Sequence, residues 1–549
     1  MNRRIPVSTP RLLHIRRVLL IITLFMIVAT QAPIHVHGHT APYLKVNRVA
    51  PTVLNPGDWN AIRAQLPASS IGPDAYLKAS NTDAGDMFGR VAADGDTLVV
   101  GAPYEASAAR GVNGDERDNT APGSGAVYVF VRSGSTWTQQ AYLKASNADS
   151  DDSFGSAVAI SGTTIVVGAP SEDGGTSGVN GDENSNTLFN SGAAYVFVRS
   201  GTEWSQQAYL KASNPDAPDM FGTSVGIDGD TIVVGSLMES SAAKGVNGNQ
   251  ADNSAERSGA AYVFVRTDDI WVQQAYLKAF NTDILDGFGG SVAIDDDTIV
   301  IGAWAEASAT RDINGDRTDN SAVGAGAAYV FVRTDGSWTQ QAYLKASNAD
   351  EKDYFGGTIA IAGDTIVVTA EGEASASPGV NGDQDDNSRE HAGAAYVFVR
   401  TGDTWTQQAY LKSPHPDTFD HFGSNAAVLG DHIVIGAPGE ATSGEGVYGA
   451  NDAAGAAYVF ARVGGEWSQA AYLTATNQEN GDSFGTGMAL MDGAIIISTL
   501  SESSNATGVN GNQADNSAPY SGAVYTFTIL SDTPLSDLKH KLYLPLMHQ

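Results

Sequence analysis

The tripeptide Tyr-Leu-Lys, followed by Ala or Ser, recurs at near-constant spacing. It begins at Tyr76, Tyr142, Tyr209, Tyr276, Tyr343 and Tyr410, with a degenerate copy at Tyr472. Seven copies about 67 residues apart along a chain of 549 constrain the fold more than any single residue. A unit of that length cannot bury its apolar face alone, so its neighbours must cover it.

Further markers keep a fixed order within each period. Phe-Gly begins at Phe88, Phe154, Phe221, Phe288, Phe355, Phe422 and Phe484. A β-type segment then ends in Gly-Ala-Pro at Gly101, Gly168 and Gly436, replaced elsewhere by Gly235-Ser-Leu, Gly302-Ala-Trp, Thr369-Ala-Glu and Ser498-Thr-Leu. An Asn/Asp/Gly loop follows, then an apolar run such as Ala193 to Arg199, then a Trp-led segment such as Trp204 to Lys211.

Four short β-type runs per period, with turn residues between them, predict a four-stranded antiparallel sheet, strands A to D. In the second repeat these are Ser156 to Ile160, Thr164 to Gly168, Ala193 to Val198 and Trp204 to Ala212. Strand C is apolar on both faces, as in a sheet packed on both sides. Strand D alternates, which predicts a half-exposed outer strand with Trp137, Ala141 and Leu143 on one face and Thr138, Gln140, Tyr142 and Lys144 on the other.

Such sheets set around an axis form a β-propeller, and seven lies within the usual range of blades. The last repeat stops near Leu530 without a strand D, whereas an unpaired strand-D sequence, Ala75 to Ser80, precedes the first Phe-Gly. The expectation is an all-β, seven-bladed propeller over 75–530, closed by its N-terminal strand. Residues 33–74 are expected to be a linker and 531–549 a tail ending in Lys541-Leu-Tyr-Leu-Pro-Leu-Met547.

The formal net charge of −31 argues against nucleic acid and anionic membrane surfaces as partners, because both require Lys and Arg to neutralise phosphate. Arg3, Arg4, Arg11, Arg16 and Arg17 precede an apolar run from Val18 to Ala29. That run is too short to span a bilayer comfortably, and it reads as a secretory signal over 1–32. Cysteine is absent, which excludes disulfides, thiolate metal sites and thiol nucleophiles. A secreted or cell-surface monomer is expected.

Phe-Gly paired with Gly-Ala-Pro, seven times in register, resembles the FG-GAP repeats of the integrin α-subunit head and of secreted bacterial proteins. The resemblance implies a propeller for extracellular adhesion or ligand binding, often calcium-dependent. The integrin calcium cage does not carry over. It joins the first two strands of a repeat, where this chain has turns as short as Asp94-Gly-Asp96.

Oxygen donors gather in two other connections. The loop between strands B and C carries Asn113, Asp115 and Asp118 in blade one. Its counterparts are Asn180 and Asp182; Asn247 and Asp252; Asn314, Asp316 and Asp319; Asn381, Asp383 and Asp386; and Asn510 and Asp515. The second element, acid-x-x-Asp-x-Phe-Gly, gives pairs from Asp83 and Asp86 to Glu479 and Asp482. A four-stranded meander brings both connections to one end of the ring. Oxygen-only clusters suit a hard cation, so the B-to-C loops are candidate calcium sites. The same residues also close turns on their own backbone amides.

Trp304, in place of the Gly-Ala-Pro proline, reads either as packing or as a ligand contact. His415 and His421 share a connection with Asp417 and Asp420, a conceivable metal or acid/base cluster. His35 and His39 lie in the linker. The expected function is non-enzymatic binding of an extracellular protein or glycan. The alternatives are a propeller-type lyase or hydrolase and a purely structural surface protein. A unique patch is expected on blades five to seven, at Thr369-Ala-Glu, the short Gly446 loop and Ser498-Thr-Leu.

Overall fold

The computed structural model describes residues 73–441 and 453–528. The apolar run at Val18, most of the linker, the Gly446 loop and the tail lie outside them. The described residues form seven four-stranded antiparallel sheets in the order A-B-C-D. Blade four, for example, comprises Phe288–Asp295, Thr298–Ala303, Ala327–Thr334 and Ser337–Leu344. The A strands of successive blades pack against one another around the axis.

Seven apolar cores hold the ring, each built from two adjacent blades. The phenylalanine of each Phe-Gly fills one of these seams. Phe154 is fully buried and meets Tyr195 and Phe197 edge-on, with centroids 5.3 and 6.1 Å away. The two glycine markers meet across the seam. A Cβ on Gly101 would lie 2.1 Å from the Gly155 carbonyl oxygen, while the Gly155 amide donates to the Gly168 carbonyl of its own blade at 3.0 Å. Only glycine permits that approach.

The seventh sheet runs from the N-terminal strand Ala75–Leu77 through Ala523–Thr528 and Ala494–Thr499 to Gly487–Met491. Tyr76 pairs with Tyr525, which closes the ring between residues 449 positions apart. The expected latch is the observed one.

Strand D departs from expectation. In blade one Phe130 pairs with Gln139 and Val129 with Ala141, so Gln140 is skipped in a β-bulge. One extra residue reverses the faces of everything after it. Tyr142 and Lys144, expected outside, are buried, and the Lys144 side chain is 0% exposed.

The lysine of Tyr-Leu-Lys is therefore an interior charge, and its partner is a glutamate beyond the Gly-Ala-Pro marker. Lys144 to Glu105, Lys211 to Glu172 and Lys345 to Glu306 are each 3.0 Å; Lys278 to Glu239 is 2.9 Å and Lys412 to Glu373 is 2.7 Å. The latch repeats the pattern, with Lys78 donating to Glu502 at 2.9 Å and to Ser521 at 2.7 Å. The tyrosine hydroxyl reaches the second oxygen of the same glutamate, as in Tyr209 to Glu172 at 3.0 Å. An asparagine from the preceding D-to-A connection completes it, Asn147 donating to Glu172 at 3.1 Å. Burial pushes each lysine below its usual pKa, and the facing glutamate opposes that shift. In blade six Thr474 replaces the lysine, and Glu440 accepts from Tyr458 at 2.8 Å.

Removing one member of a buried pair strands the other charge, which costs about 3–5 kcal/mol. Lys78→Met is expected to destabilise the protein by that order in urea unfolding. Deletion through Ser80 should lower the melting temperature at least as far. An unchanged transition for the deletion would overturn closure by the N-terminal strand.

Candidate functional site

The third residue of the Gly-Ala-Pro marker forms a ring of seven positions at the B-to-C end of the propeller: Pro103, Pro170, Leu237, Trp304, Glu371, Pro438 and Leu500. Blades three, four and five, which are consecutive, carry leucine, tryptophan and glutamate there. These three side chains line a cavity of about 660 Å³, a size suited to a ligand.

Other repeat positions make the room for it. The residue before Phe-Gly is Gly287 in blade four, where blade one has Met87, and the residue after it is Gly290, where blade one has Arg90 and blade five again has glycine, Gly357. A Cβ on Gly287 would lie 3.0 Å from Trp304 Nε1, and one on Gly290 would lie 3.1 Å from Trp304 Cδ1. The indole thus lies across two glycines, half-buried against Leu237 and edge-on to Tyr354 at 5.7 Å and 67°. Tyr354 is the residue before Phe-Gly in blade five, held at φ +59°. Ile284, Leu285 and Val323 at the cavity mouth are 54%, 54% and 63% exposed. Most of the wall is carbon.

Glu371 supplies the contrast. It is half-buried in this apolar setting and accepts from the Ser424 hydroxyl at 3.3 Å. Burial raises its pKa to about 7, and the Ser424 hydrogen bond only partly opposes that. Behind Tyr354 lies an aromatic stack. His391 packs face to face with Tyr354 at 6.4 Å and with Phe419 at 5.4 Å, and touches His421 at 5.4 Å. Burial depresses both imidazoles, His421 to about 4, so both are neutral near pH 7. The structure brings His421 to His391, a pairing across two connections that sequence spacing alone does not reveal.

Both acidic elements share this face, as expected, and they bond to each other. Asn119 donates to Asp83 at 2.6 Å, Asn186 to Asp149 at 2.7 Å and Asn253 to Asp216 at 2.8 Å. The second acid of each pair closes its own turn: Asp86 accepts from the Asp83 amide at 2.8 Å, and burial raises it to about 7. The asparagines named as calcium ligands extend the sheet. The side-chain oxygens of Asn113, Asn180, Asn247, Asn314, Asn381 and Asn510 each accept from the amide of a Tyr-Leu-Lys tyrosine at 2.9 Å. The aspartates accept amides two residues on, Asp115 from Arg117, Asp182 from Asn184, Asp316 from Thr318 and Asp383 from Asp385. Asp118, Asp252, Asp319, Asp386 and Asp515 do the same. Among the described residues, the acidic groups that converge within 4.8 Å are Asp228, Asp295 and Asp296, at the A-to-B hairpins on the opposite end.

The chain matches the FG-GAP repeat family over residues 73–130, 137–197, 204–264, 271–331, 338–398 and 405–460. Five of these six segments run from the tryptophan of one strand D into the next blade's strand C, and the first starts just before the N-terminal strand, the same offset that closes the ring. No curated protein matches. A chain in a solved structure titled "Crystal Structure of Mitotic Checkpoint Complex" is similar over 89% of this chain and 99% of its own, at 10% identity and a TM-score of 0.41.

A carboxyl raised by folding favours the native state in acid. The advantage is complete below the unfolded pKa, about 4.5, and is lost as pH rises to about 7. Glu371→Gln is therefore expected to raise the melting temperature at pH 8 and to leave it nearly unchanged at pH 4. Equal shifts at both pH values would refute the raised carboxyl.

Proposed function

Because this chain belongs to the FG-GAP repeat family, a ligand-binding or adhesion-type propeller in general terms, we propose that it is a non-enzymatic binder. It acts outside the cell and seats a protein partner over the cavity of blades three to five. FG-GAP repeats occur in extracellular proteins, and among the described residues no helix is long and apolar enough to cross a membrane. The supporting observation is the coincidence of the cavity with the three consecutive blades that lose the Gly-Ala-Pro proline, rimmed by exposed Ile284, Leu285 and Val323. A concave apolar wall with an apolar rim suits a side-chain anchor from a protein surface. A glycan would need more polar groups than this wall offers.

Probing arrays of extracellular proteins and glycans with the full chain tests this reading. A protein ligand should bind, with affinity reduced at least about tenfold by Trp304→Ala or Leu285→Ser, the loss of a buried anchor contact. Tyr520→Ala, on the same face but in blade seven, should leave it unchanged. Binding confined to glycans, or unaffected by Trp304→Ala, overturns the proposal.

Calcium in the B-to-C loops is a separate proposal resting on their oxygen-rich composition. Binding there would require the loop carboxylates and amides to exchange their present backbone hydrogen bonds for the ion. Metal analysis of the purified protein should then show calcium, and chelator should lower the melting temperature. No bound calcium and no chelator shift would remove it.

A further inference from the structure

Glu371 lines a mostly apolar cavity together with Lys352, Arg257, Asp283 and Asp286, and each of those four has an ion-pair or hydrogen-bond partner. Lys352 is 64% exposed and pairs with Glu351 at 3.3 Å; Arg257 pairs with Glu256 at 3.9 Å. Of the cavity's aspartates, Asp286 accepts from the Asp283 amide at 2.8 Å and Asp283 accepts from Asn320. His391 and His421 lie behind Tyr354 and are neutral near pH 7. Trp304 and Tyr354 meet edge to face at 67°.

We propose, granted that this cavity is a ligand site, that its ligand presents an organic cation, an ammonium group with apolar substituents, to Trp304, Tyr354 and the carboxylate of Glu371. The aromatic faces attract a cation within about 6 Å of their centroids. The carboxylate neutralises it, and the alkyl part covers Leu237 and the rim. The net charge of −31 draws cations to the surface. The ammonium comes either from a free small molecule or from a lysine side chain of the partner.

The proton balance gives the arrangement a signature. In the free protein the Glu371 carboxyl titrates near pH 7, and a bound cation requires its ionised form. Below that pH, binding must release a proton, so affinity falls by up to about tenfold per pH unit. Above it, affinity levels off.

The test titrates the full chain with choline, with its uncharged isostere 3,3-dimethylbutan-1-ol, and with N-acetyl-lysine methylamide, following tryptophan fluorescence and heat. At pH 8 a cation should bind at least about tenfold tighter than the alcohol, a preference worth about 1.4 kcal/mol. That preference should shrink at pH 6 and fall, with loss of its pH dependence, in Glu371→Gln, whereas Trp304→Ala should weaken all three ligands. Tighter binding of the lysine derivative assigns the cation to a partner's side chain, and tighter binding of choline assigns it to a small molecule. Equal binding of alcohol and cations, a preference undiminished in Glu371→Gln, or no saturable cation binding up to about 10 mM overturns the inference. If the alcohol binds and the cation preference is absent, the cavity reading stands and the cation falls. Partner binding indifferent to Trp304→Ala removes the cavity reading itself.

Discussion

A buried lysine facing a buried glutamate is the interaction on which the rest of this ring depends. A lone ammonium or carboxylate in such a place would be prohibitively costly, so each requires the other, and the pair fixes where strand D ends relative to the B-to-C loop. In most blades an asparagine from the preceding D-to-A connection adds a third member, so each joint also fastens one blade to the next. The loop face is thereby held by side chains that never reach solvent, and a cavity on that face inherits its rigidity.

The repeat is also the background against which function stands out. At most positions seven near-identical blades solve the same packing problem. The cavity exists because blade four gives up side chains at Gly287 and Gly290, blades three to five lose the Gly-Ala-Pro proline, and Trp304 moves into the vacated space. Glu371 is locally unfavourable, a carboxyl held where water is scarce. Carboxyls perturbed in this way cluster at functional sites, and this one lines the cavity.

Much of this is legible in the repeat itself. Phe-Gly and Gly-Ala-Pro mark the repeat, and the orphan strand at Ala75 marks the latch. The replacements Gly302-Ala-Trp and Thr369-Ala-Glu were visible as broken repetition. That three blades share one cavity is not visible there: the broken repetition singles out blades five to seven, whereas the cavity spans three to five and only Thr369-Ala-Glu belongs to both. A ring of equivalent positions compared across blades would have shown Leu237, Trp304 and Glu371 as neighbours. The outer strand was misread for a different reason: alternation assigns faces correctly only until a bulge, and nothing local in Thr-Gln-Gln-Ala announces one.

The sequence by itself determined the number of blades, their strand order and the closure of the ring. Those follow from periodicity and from backbone hydrogen bonding, which are properties of short segments repeated. Only the tertiary structure decided that the Tyr-Leu-Lys lysine is interior, that His391 meets His421, and that three blades share one cavity. Each of these depends on side chains from distant segments arriving at the same place. Burial and the cost of an unpaired charge act on that three-dimensional neighbourhood, whatever the order of residues along the chain.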